Sequence, residues 1–151
     1  MQNIFDASTA QNFIDRIMKL SPQSQRKWGK MSVAQMLAHC NVTYSLIFEP
    51  EKHKKPGFIA SFFLKKFVKN KVVNDQPYRE NLPTSPAFLV SDDKDFAAEQ
   101  KKLIGNIQKV QQLGAEAFDG KISLSFGKLT SNEWNNMMAK HLDHHLKQFG
   151  V

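Results

Sequence analysis

Cysteine is almost absent from this chain. Cys40 is the only one among 151 residues, so no disulfide can form within the chain, and a reducing compartment is expected. The first residues lack a charged start followed by an apolar run, and no stretch of about 18 apolar residues occurs anywhere. We therefore expect a cytoplasmic protein without a secretory signal or a transmembrane segment.

Several short catalytic and nucleic-acid signatures are also missing. The chain has no GxSxG, no Walker loop and no GxGxxG, and Leu142 stands where an HExxH helix would carry its glutamate. Zinc-protease chemistry is therefore disfavoured. No zinc-finger or RNP pattern accompanies the net charge of +7, so no specific nucleic-acid partner is expected.

What the chain does contain is apolar residues at helical spacing. Its length and 41% hydrophobic content suit a single domain spanning residues 1–151. Ser32 is a predicted N-cap, Thr130 and Glu133 form a predicted capping box, and Gly114 is a predicted C-cap. The predicted helices cover residues 8–20, 32–48, 93–113 and 130 onward. Four such helices with complementary apolar stripes predict an all-α bundle.

One long segment interrupts this helical pattern. Residues 50–91 hold five of the six prolines and a fifth amphipathic stretch at 58–68. This composition predicts a helical and loop insertion between the second and third bundle helices. Alternating residues at 121–126 predict a short extended segment, paired with residues 87–90.

Three histidines fall in the middle of apolar helical stripes. His141 and His145 lie one helical turn apart and share a face, while His39 lies on the apolar face of the second helix. Three neutral imidazoles suit Zn²⁺, Ni²⁺ or Fe²⁺ and leave at least one coordination position open for water or substrate. The opposite face of the last helix carries the polar residues Asn136, Lys140, Asp143 and Lys147.

Other residues could support or replace this metal site. Gln35 and Gln148 lie near the histidines on the same faces and could orient an imidazole, while His144 projects to the shoulder of the stripe. Cys40 diverges from His39 by about 100° and is predicted to pack in the core. The competing interpretation is that core histidines hydrogen-bond to a backbone or hydroxyl group and bind nothing.

Two blocks resemble the DinB/YfiT-like metalloenzymes, and within them the branch called DUF1569. The first block runs from Trp28 through Met31-Ser32 to His39, and the second runs from Phe126-Gly127 through Trp134 to the end of the chain. The branch often has His-Pro before Phe-Gly, whereas Leu124-Ser125 stand here, so no role transfers to that extra histidine.

This resemblance implies an up-and-down four-helix bundle with a metal held between its second and fourth helices. Relatives include thiol-dependent S-transferases and a mycothiol-dependent isomerase. A small-molecule substrate and a low-molecular-weight thiol as cosubstrate are therefore expected, with the thiol activated as thiolate. Hydrolysis remains open if a separate general base exists.

The insertion supports a second, non-enzymatic hypothesis. Seven lysines lie between Lys52 and Lys71, and no acidic residue follows them until Asp75. A basic, phenylalanine-rich helix could dock on an anionic membrane surface or partner, with the bundle as a non-catalytic scaffold. Under the enzyme hypothesis the rings of the insertion line the substrate pocket, although core packing is the simpler expectation for them. These rings are Phe58, Phe62, Phe63 and Phe67. Exposed bundle faces are also compatible with a homodimer.

Overall fold

The computed structural model describes residues 2–151 and is mostly helical. The four long helices are α1 (Ala7–Met18), α2 (Val33–Phe48), α5 (Phe96–Leu113) and α6 (Ser131–Gln148). Each of α1 and α2 contacts both α5 and α6. Their buried apolar side chains form one connected core, with Phe13, Tyr44, Ile107 and Trp134 among its members.

The predicted helix boundaries agree closely with the observed ones because the capping residues could be identified in the sequence. Ser32 and Gln35 form a capping box at the start of α2, and Thr130 and Glu133 form another at the start of α6. Helix α5 starts three residues later than predicted, because the side chain of Asp95 accepts the Ala98 amide and makes Asp95 the N-cap.

The predicted pairing of residues 121–126 with residues 87–90 is wrong. Strand β1 (Ile122–Ser123) pairs antiparallel with β2 (Gly127–Lys128), and Pro86–Phe88 forms a 3₁₀ turn. The hairpin closes locally because Gly127 adopts a φ of +75° and the Ser123 hydroxyl accepts the Phe126 amide at 3.3 Å. A local turn loses less chain entropy than a pairing with a distant segment.

The insertion between α2 and α5 contains a short helical rod. After a 3₁₀ turn at Pro50–Lys52, helix α3 (Phe58–Phe63) continues through a π-helical stretch at Leu64–Val68 into α4 (Lys69–Val73). No helix within residues 2–151 combines the length and the apolar character needed to cross a bilayer.

The end of this rod packs on α6 through polar contacts. The Lys140 ammonium donates to the Lys71 carbonyl at 2.9 Å, and to the carbonyl and side-chain oxygens of Asn74 at 2.8 Å each. Asn136 donates to the Val73 carbonyl at 3.0 Å. These donors satisfy the last carbonyls of α4. The positive charge of Lys140 also interacts favourably with the negative end of the helix dipole.

The helical projection of the sequence places Asn136 and Lys140 on the face of α6 opposite the histidines. That placement holds, but the face is covered rather than exposed, since both residues are buried. A helical projection shows which residues share a face, and it cannot show what covers that face.

We expect Lys140→Met to destabilise the protein by about 1–3 kcal/mol. Methionine has a similar length but no donor, so the carbonyls at the end of α4 would lose their buried hydrogen-bond partner. Urea unfolding measures this change, and amide exchange should rise selectively over residues 69–74. Lys101→Met, at an exposed position of α5, is the matched control and should stay within about 0.5 kcal/mol of wild type. Equal effects from both substitutions would contradict the proposed anchoring.

Candidate metal centre

The three predicted histidines converge between α2 and α6. His39 comes from α2, while His141 and His145 come from successive turns of α6. Each offers one ring nitrogen, and these three nitrogens all lie within 4.8 Å of one another. His39 and His145 are buried, and His141 is half-buried. Within residues 2–151 this group could hold a metal ion, and it includes no carboxylate or thiol.

The distances between the rings suit a shared cation. The Nε2 atoms of His39 and His141 are 2.9 Å apart, and the ring centroids of His39 and His145 are 4.5 Å apart. Two nitrogen ligands at about 2.05 Å from a tetrahedral zinc ion are separated by about 3.3 Å. Small side-chain movements would therefore bring the nitrogens to bonding distances.

The other ring nitrogens have hydrogen-bond partners. His39 Nδ1 lies 2.8 Å from the Phe88 carbonyl, His141 Nδ1 lies 3.1 Å from Thr43 Oγ1, and His145 Nδ1 lies 2.9 Å from Gln148 Oε1. A carbonyl oxygen can only accept, so His39 and His145 carry their protons on Nδ1. Their Nε2 atoms are left with lone pairs available to a ligand.

His141 decides between two states of this cluster. If the Thr43 hydroxyl accepts from His141 Nδ1, the lone pairs of the His39 and His141 Nε2 atoms face each other, and a cation is required between them. If the hydroxyl donates instead, His141 donates from Nε2 to His39, and the cluster is satisfied without a metal. The second state is the metal-free core predicted by the competing interpretation.

Burial keeps all three imidazoles neutral. Desolvation is the largest cause in each case. It lowers the pKa of His39 against the opposing effect of the Phe88 carbonyl, and it lowers the pKa of His145 to about 3. The pKa of His141 is held well below 6.5 by burial and then by repulsion from neighbouring imidazoles. Neutral imidazole is the form that binds a metal.

Of the predicted supporting residues, Gln148 is placed beside a histidine and Gln35 is not. Gln148 accepts from His145 and donates to the Trp28 carbonyl at 2.8 Å, which fixes the orientation of its amide. Gln35 instead closes the capping box with Ser32 and donates to the Asp92 carbonyl at 3.4 Å. The Gln35 side chain accepts the Ser32 amide at the start of α2 and makes no hydrogen bond to a histidine ring.

His144 lies between the cluster and a surface cavity whose lining includes none of the three converging histidines. Its ring centroid lies 5.0 Å from that of His145 and 5.7 Å from those of Trp28 and Tyr78. These two aromatic residues and His144 line a cavity of about 410 Å³, together with charged residues of both signs that include Lys140 and Asp143. The indole nitrogen of Trp28 is buried and has no hydrogen-bond partner among residues 2–151.

The four phenylalanines of the insertion lie elsewhere. Phe58 is 89% exposed, and the other three are each more than half exposed. The expectation that these rings pack in the core is therefore wrong, because the rod turns its other side toward α6. Their assignment to the wall of a substrate pocket stays a prediction.

Cys40 packs as predicted. Its side chain is buried, and its sulfur lies 3.8 Å from that of Met36. Burial raises the pKa of the thiol, which disfavours the reactive thiolate.

Two contacts of the cluster were not predicted. Thr43 is four residues after His39 on the same helix face, and this spacing could have identified it as a partner. Phe88 contributes a backbone carbonyl, and its ring lies 5.5 Å from that of His39. A carbonyl group carries no sequence signal, so this partner could be found only from the fold.

The lowered histidine pKa values predict that the metal-free protein loses stability in acid. Between the folded-state pKa of His145, about 3, and the ordinary value of 6.5, the unfolded chain binds more protons than the folded one. The free energy of unfolding should therefore fall as the pH drops below 6.5, by up to about 1.4 kcal/mol per pH unit for each histidine. Urea midpoints with chelator present, compared at pH 7 and pH 5, measure this loss.

His145→Gln removes one titrating group and should make this pH dependence shallower. His53→Gln is the control, because His53 lies outside the cluster and bonds to the Ser45 hydroxyl. A wild-type midpoint that is unchanged between the two pH values would show that the histidines are not held neutral.

Comparison with known proteins places the chain in one family. No curated protein and no solved structure matches it. The assignment to the DUF1569 branch, made from the two sequence blocks, is confirmed. A family model described as "Protein of unknown function (DUF1569)" matches residues 4–150, nearly the whole chain, and the protein therefore belongs to the DUF1569 family.

Proposed function

We propose that the protein is a metal-dependent enzyme that binds one divalent ion, Ni²⁺, Zn²⁺ or Fe²⁺, through His39, His141 and His145. The observation that carries this proposal is the convergence of three histidine ring nitrogens, from two buried residues and one half-buried residue, within 4.8 Å of one another. Three protein ligands leave a position for a reacting group, whereas a structural zinc is usually closed by four.

The hydrogen bonds around the cluster support this proposal. Each imidazole has a partner at Nδ1, and those partners come from three different parts of the chain: Thr43 of α2, Phe88 of the insertion and Gln148 of α6. The bonds to Phe88 and Gln148 fix the tautomers of His39 and His145, and all three bonds restrain ring orientation. A partner that accepts from Nδ1 also raises the basicity of the ligand nitrogen. A bound divalent ion would supply Lewis acidity toward a thiol or a water molecule.

We propose thiol S-transfer as the reaction class, with hydrolysis as the alternative. The likeness of the two sequence blocks to the DinB/YfiT-like group favours a low-molecular-weight thiol as cosubstrate. Hydrolysis needs a general base, and the glutamates Glu49 and Glu133 are engaged in other contacts. Glu49 pairs with Lys52, while Glu133 caps α6 and pairs with Lys69 at 2.9 Å.

The cavity beside His144 is our proposed binding place for a small-molecule substrate. It has aromatic walls in Trp28 and Tyr78, and charged groups of both signs at Lys140 and Asp143. The His144 ring contacts the rings of both Trp28 and Tyr78 on one side and the ring of His145 on the other. A polar molecule with an apolar part would suit such a lining.

We also propose that residues 1–151 form a single domain with the up-and-down four-helix bundle of the DinB/YfiT-like group. The contacts of α1 and α2 with both α5 and α6 support that topology. The location of the histidines on α2 and α6, the second and fourth of the long helices, agrees with the metal position that the resemblance implies.

Metal content tests the proposed function directly. We expect about one equivalent of nickel, zinc or iron in tag-free wild-type protein by elemental mass spectrometry, and loss of that metal in His39→Ala and His141→Ala. At free metal one hundred times above Kd, reloading the wild type should add about 2.7 kcal/mol to its stability.

His53→Ala is the matched control, because it removes a histidine outside the cluster and should keep the metal. Wild-type protein that stays metal-free after incubation with each divalent ion would overturn the proposal. Metal retained in His39→Ala and His141→Ala alike would show that it binds somewhere else.

Thr43→Val tests the orienting hydrogen bond. The substitution keeps the shape of the side chain and removes the hydroxyl that would accept from His141 Nδ1 in the metal-binding state. We expect metal affinity to fall by about tenfold or more in competition with a chromogenic chelator. Ser45→Ala, which removes a hydroxyl bonded to His53 on the same helix, should leave the affinity unchanged. Unchanged affinity in Thr43→Val would mean that Thr43 does not orient a ligand.

A further inference from the structure

Exposed apolar side chains are concentrated on the rod of the insertion. Six of the eleven large apolar residues that are exposed within residues 2–151 lie between positions 58 and 68. Phe62, Phe63 and Phe67 form one cluster, with centroids 6.2 Å apart for the first pair and 5.5 Å apart for the second. Water-exposed rings in such a group usually mark an interaction surface.

The segment that carries these rings is rich in lysine. Seven occur between Lys52 and Lys71, and all except Lys69 are exposed. The Lys66 ammonium lies 5.5 Å from the ring centroids of both Phe62 and Phe67. No acidic residue lies between Lys52 and Asp75, and only Lys52 and Lys69 form ion pairs, with Glu49 and Glu133. The other five lysines have no ion-pair partner within residues 2–151. We refer to the exposed side chains of residues 52–71 as the Phe/Lys surface.

The contacts of the rod hold the Phe/Lys surface outward. Lys69 pairs with Glu133, Val73 is buried, and the Lys140 ammonium holds the carbonyls at the end of α4. The side of the rod that faces the protein is therefore occupied. Folding the rings inward would break these contacts, so an external partner is needed to remove the rings from water.

We propose that the Phe/Lys surface docks on the headgroup region of an anionic lipid bilayer. The lysines meet the lipid phosphates, while Phe58, Ile59 and the ring cluster enter the boundary between headgroups and acyl chains. Lys66 lies over two of the rings, and its flexible stem lets the ammonium reach a phosphate while the rings enter the apolar layer. The proposal does not depend on the metal site, since it uses none of the histidines.

Charge and composition favour a bilayer over other partners. A second copy of the chain would bring two sets of six exposed lysines together, and like charges would oppose that contact. A nucleic acid would satisfy the lysines and stack on the rings, but it offers no apolar environment for Ile59, which is 72% exposed. A bilayer surface offers both an anionic and an apolar layer.

Co-sedimentation with vesicles tests the proposal on the full chain. We expect the protein to pellet with phosphatidylcholine vesicles that contain phosphatidylglycerol, and to stay in solution with phosphatidylcholine alone. Lys65→Glu with Lys66→Glu should weaken binding by more than about tenfold. Phe62→Ser with Phe67→Ser should weaken it comparably, and added salt should weaken the wild type.

Matched controls separate the surface from overall charge and from folding. Lys101→Glu with Lys102→Glu changes the net charge by the same amount at two exposed positions of α5. Met18→Ser with Leu113→Ser removes two exposed apolar side chains outside the Phe/Lys surface. Both controls should bind like the wild type. Because the substituted side chains are all exposed, thermal unfolding by circular dichroism should be unchanged in every variant.

Insertion of the rings can be measured separately from adsorption. In Phe63→Trp, the new indole should shift its emission to the blue on anionic vesicles and be quenched by lipids brominated near the headgroup. Trp28 and Trp134 provide a constant background that the wild type corrects. Binding without any shift or quenching would overturn ring insertion.

Three other results would overturn the proposal. These are no binding to anionic vesicles, an equal loss of binding in the α5 control, and binding to single-stranded nucleic acid in a protein that ignores vesicles. A dimer that Phe62→Ser with Phe67→Ser dissociates would instead identify a second copy as the partner. Repeating the vesicle assay with chelator should give the same binding, so a missing metal and a missing membrane contact remain distinguishable.

Discussion

The arrangement of the other elements depends on the polar side chains of α6, which is buried on several sides and carries buried polar residues on each of those sides. Asn135 accepts the Ile4 amide at 2.8 Å and donates to the Gln2 carbonyl, which fixes the start of the chain. Asn136 and Lys140 hold the end of α4, and the histidines meet α2. Each buried polar group needs a partner because an unsatisfied one costs about 1–3 kcal/mol. These partners fix how the other elements lie against α6.

The parts of the fold that could be predicted are those that depend on local sequence. Capping boxes at Ser32 and Thr130 gave the starts of α2 and α6, because cap geometry involves only residues within one turn. The one-turn spacing of His141 and His145 placed both rings on one face for the same reason. The convergence of His39 with them followed from two independent apolar stripes that had to share a core.

The parts that failed depend on contacts between distant segments. Nothing in the local pattern at 87–90 distinguishes a strand from the turn that offers the Phe88 carbonyl to His39. The helical projection also could not show that α4 covers Lys140, or that the phenylalanines of the rod remain in water. Amphipathic spacing in the insertion predicted a helix but not its rotation, because polar anchors on α6 decide that rotation.

Helix α6 places the two proposed activities on one rigid element. Its histidines face α2, and on its opposite face Lys140 holds the end of the rod that carries the Phe/Lys surface. Both faces belong to the same helix. A protein held on a bilayer through the rod would therefore also have its histidine cluster and the His144 cavity fixed relative to that bilayer. Lys140 lines that cavity while it holds α4, and Tyr78 lies 4.7 Å from its ammonium. The anchoring of the rod and the shape of the proposed substrate cavity therefore depend on the same side chain.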